Sequence, residues 1–489
     1  MRQASALWQQ FERICAIPHP SGHLDGIRAY ILECVRQAGR QADVDSAGNV
    51  RVLLPATEGW LEKARNQGRD TSAVTLLQAH MDMVFQADGA GQHDATTEPI
   101  RMLREGDTVT AQGTSLGADN GIGVAAMLAI LTDTGHVEHG PLELLFTVDE
   151  ELGMGGVRGM KPGWLQSSRM FNLDTEREGV LMVGCAGAVD ITATYRYKLE
   201  PGMPEGDVAI LVRLQGLLGG HSGMDIHLGR GNACKLMVRL LKHAVVNYEA
   251  RLAYVQADGV RNAIPREASA LLTVPAEVAD DLLDEVAYYG DLYRYEYRGI
   301  ETGITLTATR TDSPRYMLPE EVQDDILNSL EAAPDGVFRM MPDLPGEVET
   351  SSNLASVEMS HADDSGTCTV TVMVRSQNEE MKRALVSRLQ SCFTLGGARV
   401  GYSAAYPGWE QPIASPLVQE VCRAYRTQFG TDMQISSVHC GLECGLLHDL
   451  YPDMEIVSFG PTIRHPHSPA ESVSVESVTR FWLLLLELI

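Results

Sequence analysis

Runs of apolar residues that end on charged or imidazole side chains organise the chain. "VTLLQA" (74–79), "LELLFTV" (142–148), "RMFNL" (169–173) and "MEIVSF" (454–459) are short, almost wholly apolar, and predict buried strands. Between them, "ALWQQFERICAI", "LDGIRAYILECVRQAG", "GIGVAAMLAILTD" (121–133) and "SPLVQEVCRAYRTQFG" have helical spacing. Strands alternating with helices predict an α/β unit around a mostly parallel central sheet. The texture changes near residue 190. "DITATYRYKLE", "VAILVRLQGL", "GITLTATRT" and "TCTVTVMVRS" alternate like half-exposed antiparallel strands, and "NACKLMVRLLKHAVV" and "EEMKRALVSRLQSCF" read as helices. From about residue 400 the first texture returns. The expected organisation is one α/β domain made of two pieces, 1–187 and 398–489, with an α+β domain inserted at 188–397. The final "FWLLLLELI" is too short to span a membrane and reads as a last core helix.

The predicted strand ends carry the chemistry. His80 follows the first strand, with Asp82 two positions on; Asp149, Glu150 and Glu151 follow the second; Asp174 follows the third; His465 and His467 follow the fourth after a short loop. Asp119 lies in "GTSLGADNGIG", just before a helix. In open α/β sheets ligands bind beyond the carboxyl ends of the strands. Imidazole and carboxylate together suit Zn²⁺ or a similar divalent ion. So many such groups exceed one tetrahedral site, whereas two ions about 3.5–4 Å apart, bridged by a carboxylate, would use them.

Composition narrows the partners. Across 489 residues, 39 Lys and Arg stand against 65 Asp and Glu, a net charge of −26, which disfavours nucleic acid and anionic membranes. The N-terminal stretch has no apolar core of a signal peptide. The nine cysteines are scattered; Cys440 and Cys444 are the closest pair and lack a second pair for a zinc site, so reduced thiols in a cytoplasmic protein are expected.

The motifs "IPHPSGH", "AHMDMV", "SLGADNGIG", "TVDEELGMGG", "NLDTE", "GGHSGMDIHLGRGNA", "YPGW", "HCGLECG" and "HPHSP" resemble, in order and over essentially the whole chain, the M20 co-catalytic zinc peptidases, in particular the aminoacyl-histidine dipeptidase branch. The resemblance implies a zinc-peptidase-like catalytic domain, an inserted α+β lid, and hydrolysis of Xaa-His dipeptides such as β-alanyl-histidine by a metal-bound hydroxide. The runners-up are a broader di- or tripeptidase and an amide deacylase. It implies two divalent ions, zinc first, with manganese or cobalt as alternatives. His80 and Asp174 would bind one ion and Glu151 and His467 the other. Asp119 would bridge them, with a cis Asp119–Asn120 peptide. Asp82 would orient His80, and Glu150 would be the general base. His221, in the insert, would stabilise the oxyanion.

Three further residues are candidates for the substrate: Arg375 in "VMVRS" for its carboxylate, Asn262 in "RNAIP" for its backbone or the oxyanion, and Glu443 in "HCGLECG" for its amino terminus, with His439 beside it structural. Two departures stand out. His465 sits where the family commonly has a small residue, so it competes with His467, and Met224 and Asp225 replace residues usual in the lid motif. An insert of about 210 residues is roughly twice what one small α+β layer needs. It therefore leaves open two half-lids or a homodimer contact, and whether His221 serves its own site or a neighbour's.

Other chemistries fit less well. "GTSLG" matches the G-x-S-x-G elbow of serine hydrolases, with Ser115 as nucleophile, but "ADNG" intervenes before the helix. "GIGVAA" is a degenerate dinucleotide motif with no strand before it. A binding scaffold without catalysis would lack a ligand or the base, and none is missing.

Overall fold

The computed structural model describes residues 4–68, 70–89, 93–133 and 135–489. The chain divides into two compact units. One comprises Met1–Cys185, Trp409–Ser437 and Leu442–Ile489; the other comprises Ala186–Gly408 and Val438–Gly441.

In the first unit the expected apolar runs become the middle of a nine-stranded sheet. Thr75–His80 lies between Leu142–Thr147 and Arg169–Asn172 and is parallel to both, and Glu455–Ser458 extends the parallel set beyond Arg169–Asn172. The flanks are antiparallel: Val50–Leu54 pairs with Leu142–Thr147, and Val180–Cys185 lies beside Glu455–Ser458. The sheet is thus parallel at its centre and mixed overall. Thr75–His80 and Leu142–Thr147 are buried at every position, which is why they read as unbroken apolar runs rather than alternating ones. Helix Ala118–Leu131 is also buried along its whole length, and its "GIGVAAMLAIL" has no polar stripe. The C-terminal run forms helix Val475–Leu488, whose Phe481, Trp482, Leu484, Leu485 and Leu488 are buried. Among the described residues no helix is long and apolar enough to cross a membrane.

The second unit is built on two antiparallel sheets. Gly187–Lys198, Ser365–Ser376, Val348–Ala362, Gly336–Met340 and Arg399–Tyr406 form a five-stranded one; Asp207–Gln215, Ala268–Pro275, Arg251–Gln256 and Thr305–Thr311 form a four-stranded one. Helices Ala233–Tyr248, Ala279–Glu296, Glu320–Ala332 and Glu379–Leu395 contribute Leu236, Leu240, Leu282, Val286, Ile326, Leu330, Leu385 and Phe393 to the core of this unit.

The insert was expected to stop at residue 397, but Arg399–Tyr406 pairs with Gly187–Lys198, so the unit continues to Gly408. The strand Val348–Ala362 has no apolar signature. "ETSSN" is buried, but each polar side chain has a partner: Thr350 with Ser376, Ser351 with His439, and Asn353 with the Ala263 carbonyl. Pairing on this scale lets polar residues occupy a central strand.

Candidate metal centre

The parallel strands deliver their last residues to one edge of the first unit's sheet. His80, the final residue of its strand, is 1% exposed. Its Nε2 lies 3.1 Å from Asp119 Oδ1 and 3.3 Å from Asp174 Oδ1. The other oxygen of Asp119 lies 3.1 Å from His467 Nε2, and that nitrogen is 2.8 Å from Glu151 Oε1. One carboxylate therefore stands between two imidazoles, each with a further carboxylate of its own. Atoms of His80, Asp119 and Glu151 all fall within 4.8 Å of one another, close enough to share a metal ion. The Asp119–Asn120 peptide is cis.

Neighbouring groups fix these positions. His80 Nδ1 lies 3.0 Å from the Asp82 carbonyl and 3.5 Å from its carboxylate. Asp82 is buried and accepts the Ser21 hydroxyl at 2.8 Å and the backbone N–H groups of Glu150 and Glu151 at 3.1 and 3.2 Å. It thus joins the end of one strand to the loop after the next. Asn120 Nδ2 donates to Asp174 at 2.6 Å. His467 sits at φ 57°, in the left-handed region that non-glycine residues seldom occupy. His465, also left-handed, is exposed, and it is His467 that meets Asp119 and Glu151.

The charge balance calls for a cation. Burial works against charge on His80, but Asp174, Asp119 and Asp82 outweigh it and raise its pKa well above an ordinary imidazole. Hydrogen bonds to Asp119 and Glu151 raise His467 to about 11. Burial acts against charge on Asp119 and Asp82, yet the imidazoles they meet outweigh it and hold both below the ordinary carboxylate range, whereas three neighbouring carboxyls move up. Burial first, then Asp119 and Glu151, push Asp174 up to about 7, and burial, then Asp119 and Asp174, push Glu176 to about 8. Glu150 is also raised well above its ordinary value, chiefly by burial and then by Asp174, Glu443 and Glu151 against His80. Protons collect where carboxylates outnumber cations. A set of two imidazoles and three convergent carboxylates fits divalent ions in both donor type and charge.

Of the remaining candidates, Glu443 belongs to the first unit and His221, Asn262, Arg375 and His439 to the second. Glu443 is 1% exposed; its Oε2 accepts from Gln78 Nε2 and Thr147 Oγ1, each at 2.6 Å, and Oε1 is buried without a partner. In the second unit, His221 pairs with Ala263 across a two-residue ladder, which places Asn262, an exposed residue, next to it. His221 Nδ1 accepts the N–H groups of Gly223 and Met224 at 3.1 and 3.0 Å. Asp225 accepts the His221 N–H at 2.8 Å. Arg375 is 3% exposed and donates to Ser222 and Tyr406 hydroxyls. His439 accepts or donates at Ser351 over 2.7 Å, and burial, then Arg375, lowers its pKa to about 3. Ser115 is fully buried, donating to the Val84 carbonyl and accepting the Gln86 N–H, a structural arrangement and not an exposed nucleophile.

Sequence reasoning did not single out Ser21, Glu176 or Glu471, although each lies within or next to a quoted motif. Ser21 meets Asp82, Glu176 meets Asp119, and Glu471 meets the turn that presents Asp119, which is a property of three-dimensional neighbours.

A model of peptidase family M20/M25/M40 matches residues 76–489. Over 99% of this chain and 96% of its own length, the cytosol non-specific dipeptidase of Escherichia coli (strain K12) is 39% identical. The crystal structure of aminoacylhistidine dipeptidase from Vibrio alginolyticus superposes with a TM-score of 0.89 at 38% identity, covering 99% of this chain and 97% of that one. Aminopeptidase PepT from Bacillus cereus, at 14% identity and a TM-score of 0.60 over 99% of this chain and 97% of its own, shares the fold. The chain belongs to the M20/M25/M40 peptidase family and is a hydrolase of peptide bonds.

Proposed function

We propose that the protein is a cytoplasmic metallo-dipeptidase that cleaves Xaa-His dipeptides such as β-alanyl-histidine. The observation that carries the metal chemistry is the Asp119 carboxylate set between His80 and His467. The dipeptide specificity draws on the end-to-end similarity to the Vibrio enzyme. The similarity to the E. coli enzyme, named non-specific, favours a second reading with broader dipeptide specificity.

His80 and Asp174 would hold one divalent ion and Glu151 and His467 a second, with Asp119 shared between them. Zinc is the first choice; such ligands also accept manganese or cobalt. Bound ions supply Lewis-acid polarisation of the scissile carbonyl and lower the pKa of water. Asp82 holds the His80 ring through Nδ1, leaving Nε2 to face the centre. Glu150 takes a proton from the attacking water and returns it to the leaving amine; burial raises its pKa, which favours taking up that proton. His221 has its Nδ1 occupied as an acceptor, so its proton lies on Nε2, and burial lowers its pKa. It is thereby a neutral donor for the developing oxyanion. Arg375 is buried with neutral hydrogen-bond partners, which leaves its charge available to the substrate carboxylate. Asn262 assists at the substrate backbone or the oxyanion, and Glu443 meets the substrate's amino terminus.

The test is hydrolysis of β-alanyl-histidine and of a histidine-free dipeptide, before and after chelation, with Zn²⁺, Mn²⁺ or Co²⁺ added back. Loss on chelation, recovery with metal and preference for the histidine dipeptide are expected. Activity indifferent to chelation would sink the metal mechanism. Equal cleavage of both dipeptides would keep the chemistry and move the specificity to the broader reading.

A further inference from the structure

The glycine-rich turn that presents Asp119, which the sequence alone offers as an elbow or a phosphate cradle, is an anion cradle filled by the chain itself. Glu471 is 2% exposed. Its Oε2 accepts the backbone N–H of Leu116 at 2.7 Å and Gly117 at 3.0 Å; its Oε1 accepts Ala118 at 2.8 Å and lies 3.4 Å from the N–H of Asp119. Successive N–H groups turned to one side form a nest that binds a negative charge. Gly117 makes this possible with φ 71°, and a Cβ there would come within 2.9 Å of Met83 Sδ. Glu471 also closes the loop that carries His467: its own N–H bonds the Ser468 carbonyl at 3.0 Å, and the Ser468 hydroxyl bonds the His465 carbonyl at 2.7 Å. One buried carboxylate therefore ties together two segments about 350 residues apart, one bearing Asp119 and the other His467.

We infer that Glu471 is a positioning residue that sets the separation of Asp119 and His467 and, through it, the affinity of the centre for its ions. A helix cap alone would not require this arrangement, because Asp119 and Asn120 are not helical and the bonds converge on the ligand-bearing turn. The inference rests on the proposed metal centre. Glu471→Gln keeps the shape of the side chain but turns one acceptor oxygen into a donor facing N–H groups.

The full-length protein and this variant are titrated with Zn²⁺ against a competing chelator, alongside their thermal midpoints and dipeptide kinetics. The expected result is a folded variant with Zn²⁺ affinity reduced about 10–100-fold, a kcat that falls at limiting zinc and recovers in excess, and an unchanged KM. Wild-type zinc affinity with only a lowered midpoint would overturn the inference and leave Glu471 a purely structural role. If the unsubstituted protein takes up no divalent ion, the metal-centre reading itself fails. Should Glu471→Gln not fold, Glu471→Asp, which keeps the charge but withdraws the carboxylate, replaces it, and wild-type affinity in that variant counts against the inference.

Discussion

Glu150 and Glu151 are adjacent, yet Asp82 pins both of their backbone N–H groups and their side chains part from there: Glu151 reaches His467, while Glu150 is left to burial and neighbouring charge. Glu150→Gln is expected to lower kcat about 10²–10⁴-fold while metal uptake, read by chelator competition, stays at the wild-type level. Glu443 poses a sharper question. Burial pushes it up to about 8, with His80 opposing, and Oε1 has no partner. A carboxyl whose pKa rises from 4.5 to about 8 on folding binds its proton more tightly in the folded state. Its stabilising contribution is complete below the unfolded value and lost as pH climbs through the folded one. Glu443→Gln keeps the contacts to Gln78 and Thr147 through its amide oxygen. The metal-free variant should therefore lose less thermal stability between about pH 5 and 8 than the metal-free wild type. A role at the substrate amine would instead show as a raised KM, and a KM unchanged in this variant retires that role. The convergent groups were legible in sequence: His80, Glu151 and Asp174 stand just past apolar runs, His467 follows one after a short loop, and Asp119 opens a helix. Glu471 was not: a glutamate in a loop looks the same whether it meets water or four backbone amides.

At the scale of elements, the centre depends on loops that leave neighbouring parallel strands and run close together. Gly460, just past Glu455–Ser458, is the tightest such approach: a Cβ there would sit 2.0 Å from the carbonyl oxygen of Thr175, next to Asp174. Gly460→Ala should destabilise the fold by roughly 1–3 kcal/mol, the usual cost of forced backbone shifts, and weaken metal uptake by displacing Asp174. Denaturant melts with parallel metal titration measure both, and unchanged uptake would show that the Asp174 loop absorbs the strain elsewhere. Periodicity located the apolar strands and the amphipathic helices well. It missed Val348–Ala362, since a buried strand of Ser, Thr and Asn carries its justification in its hydrogen-bond partners and not in its hydropathy.

Over the whole molecule, the sequence by itself determined the class of fold, the family and the kind of chemistry. Fully buried parallel strands must be apolar throughout, polar side chains at their ends must then have a purpose, and His mixed with carboxylate narrows that purpose to a metal. It also marked the change of texture near residue 190, close to where the second unit begins at Ala186. Only the tertiary structure decided the rest. It carried the second unit on to Gly408, because a strand's membership in a sheet is settled by its partner. It brought His467, the histidine the sequence already favoured over His465, against Asp119 and Glu151, groups far away along the chain. It buried Ser115 and filled the glycine-rich turn with Glu471, because hydrogen-bond satisfaction joins groups that the chain separates by hundreds of residues. Local pattern reports what each residue needs; which residue supplies it depends on the fold.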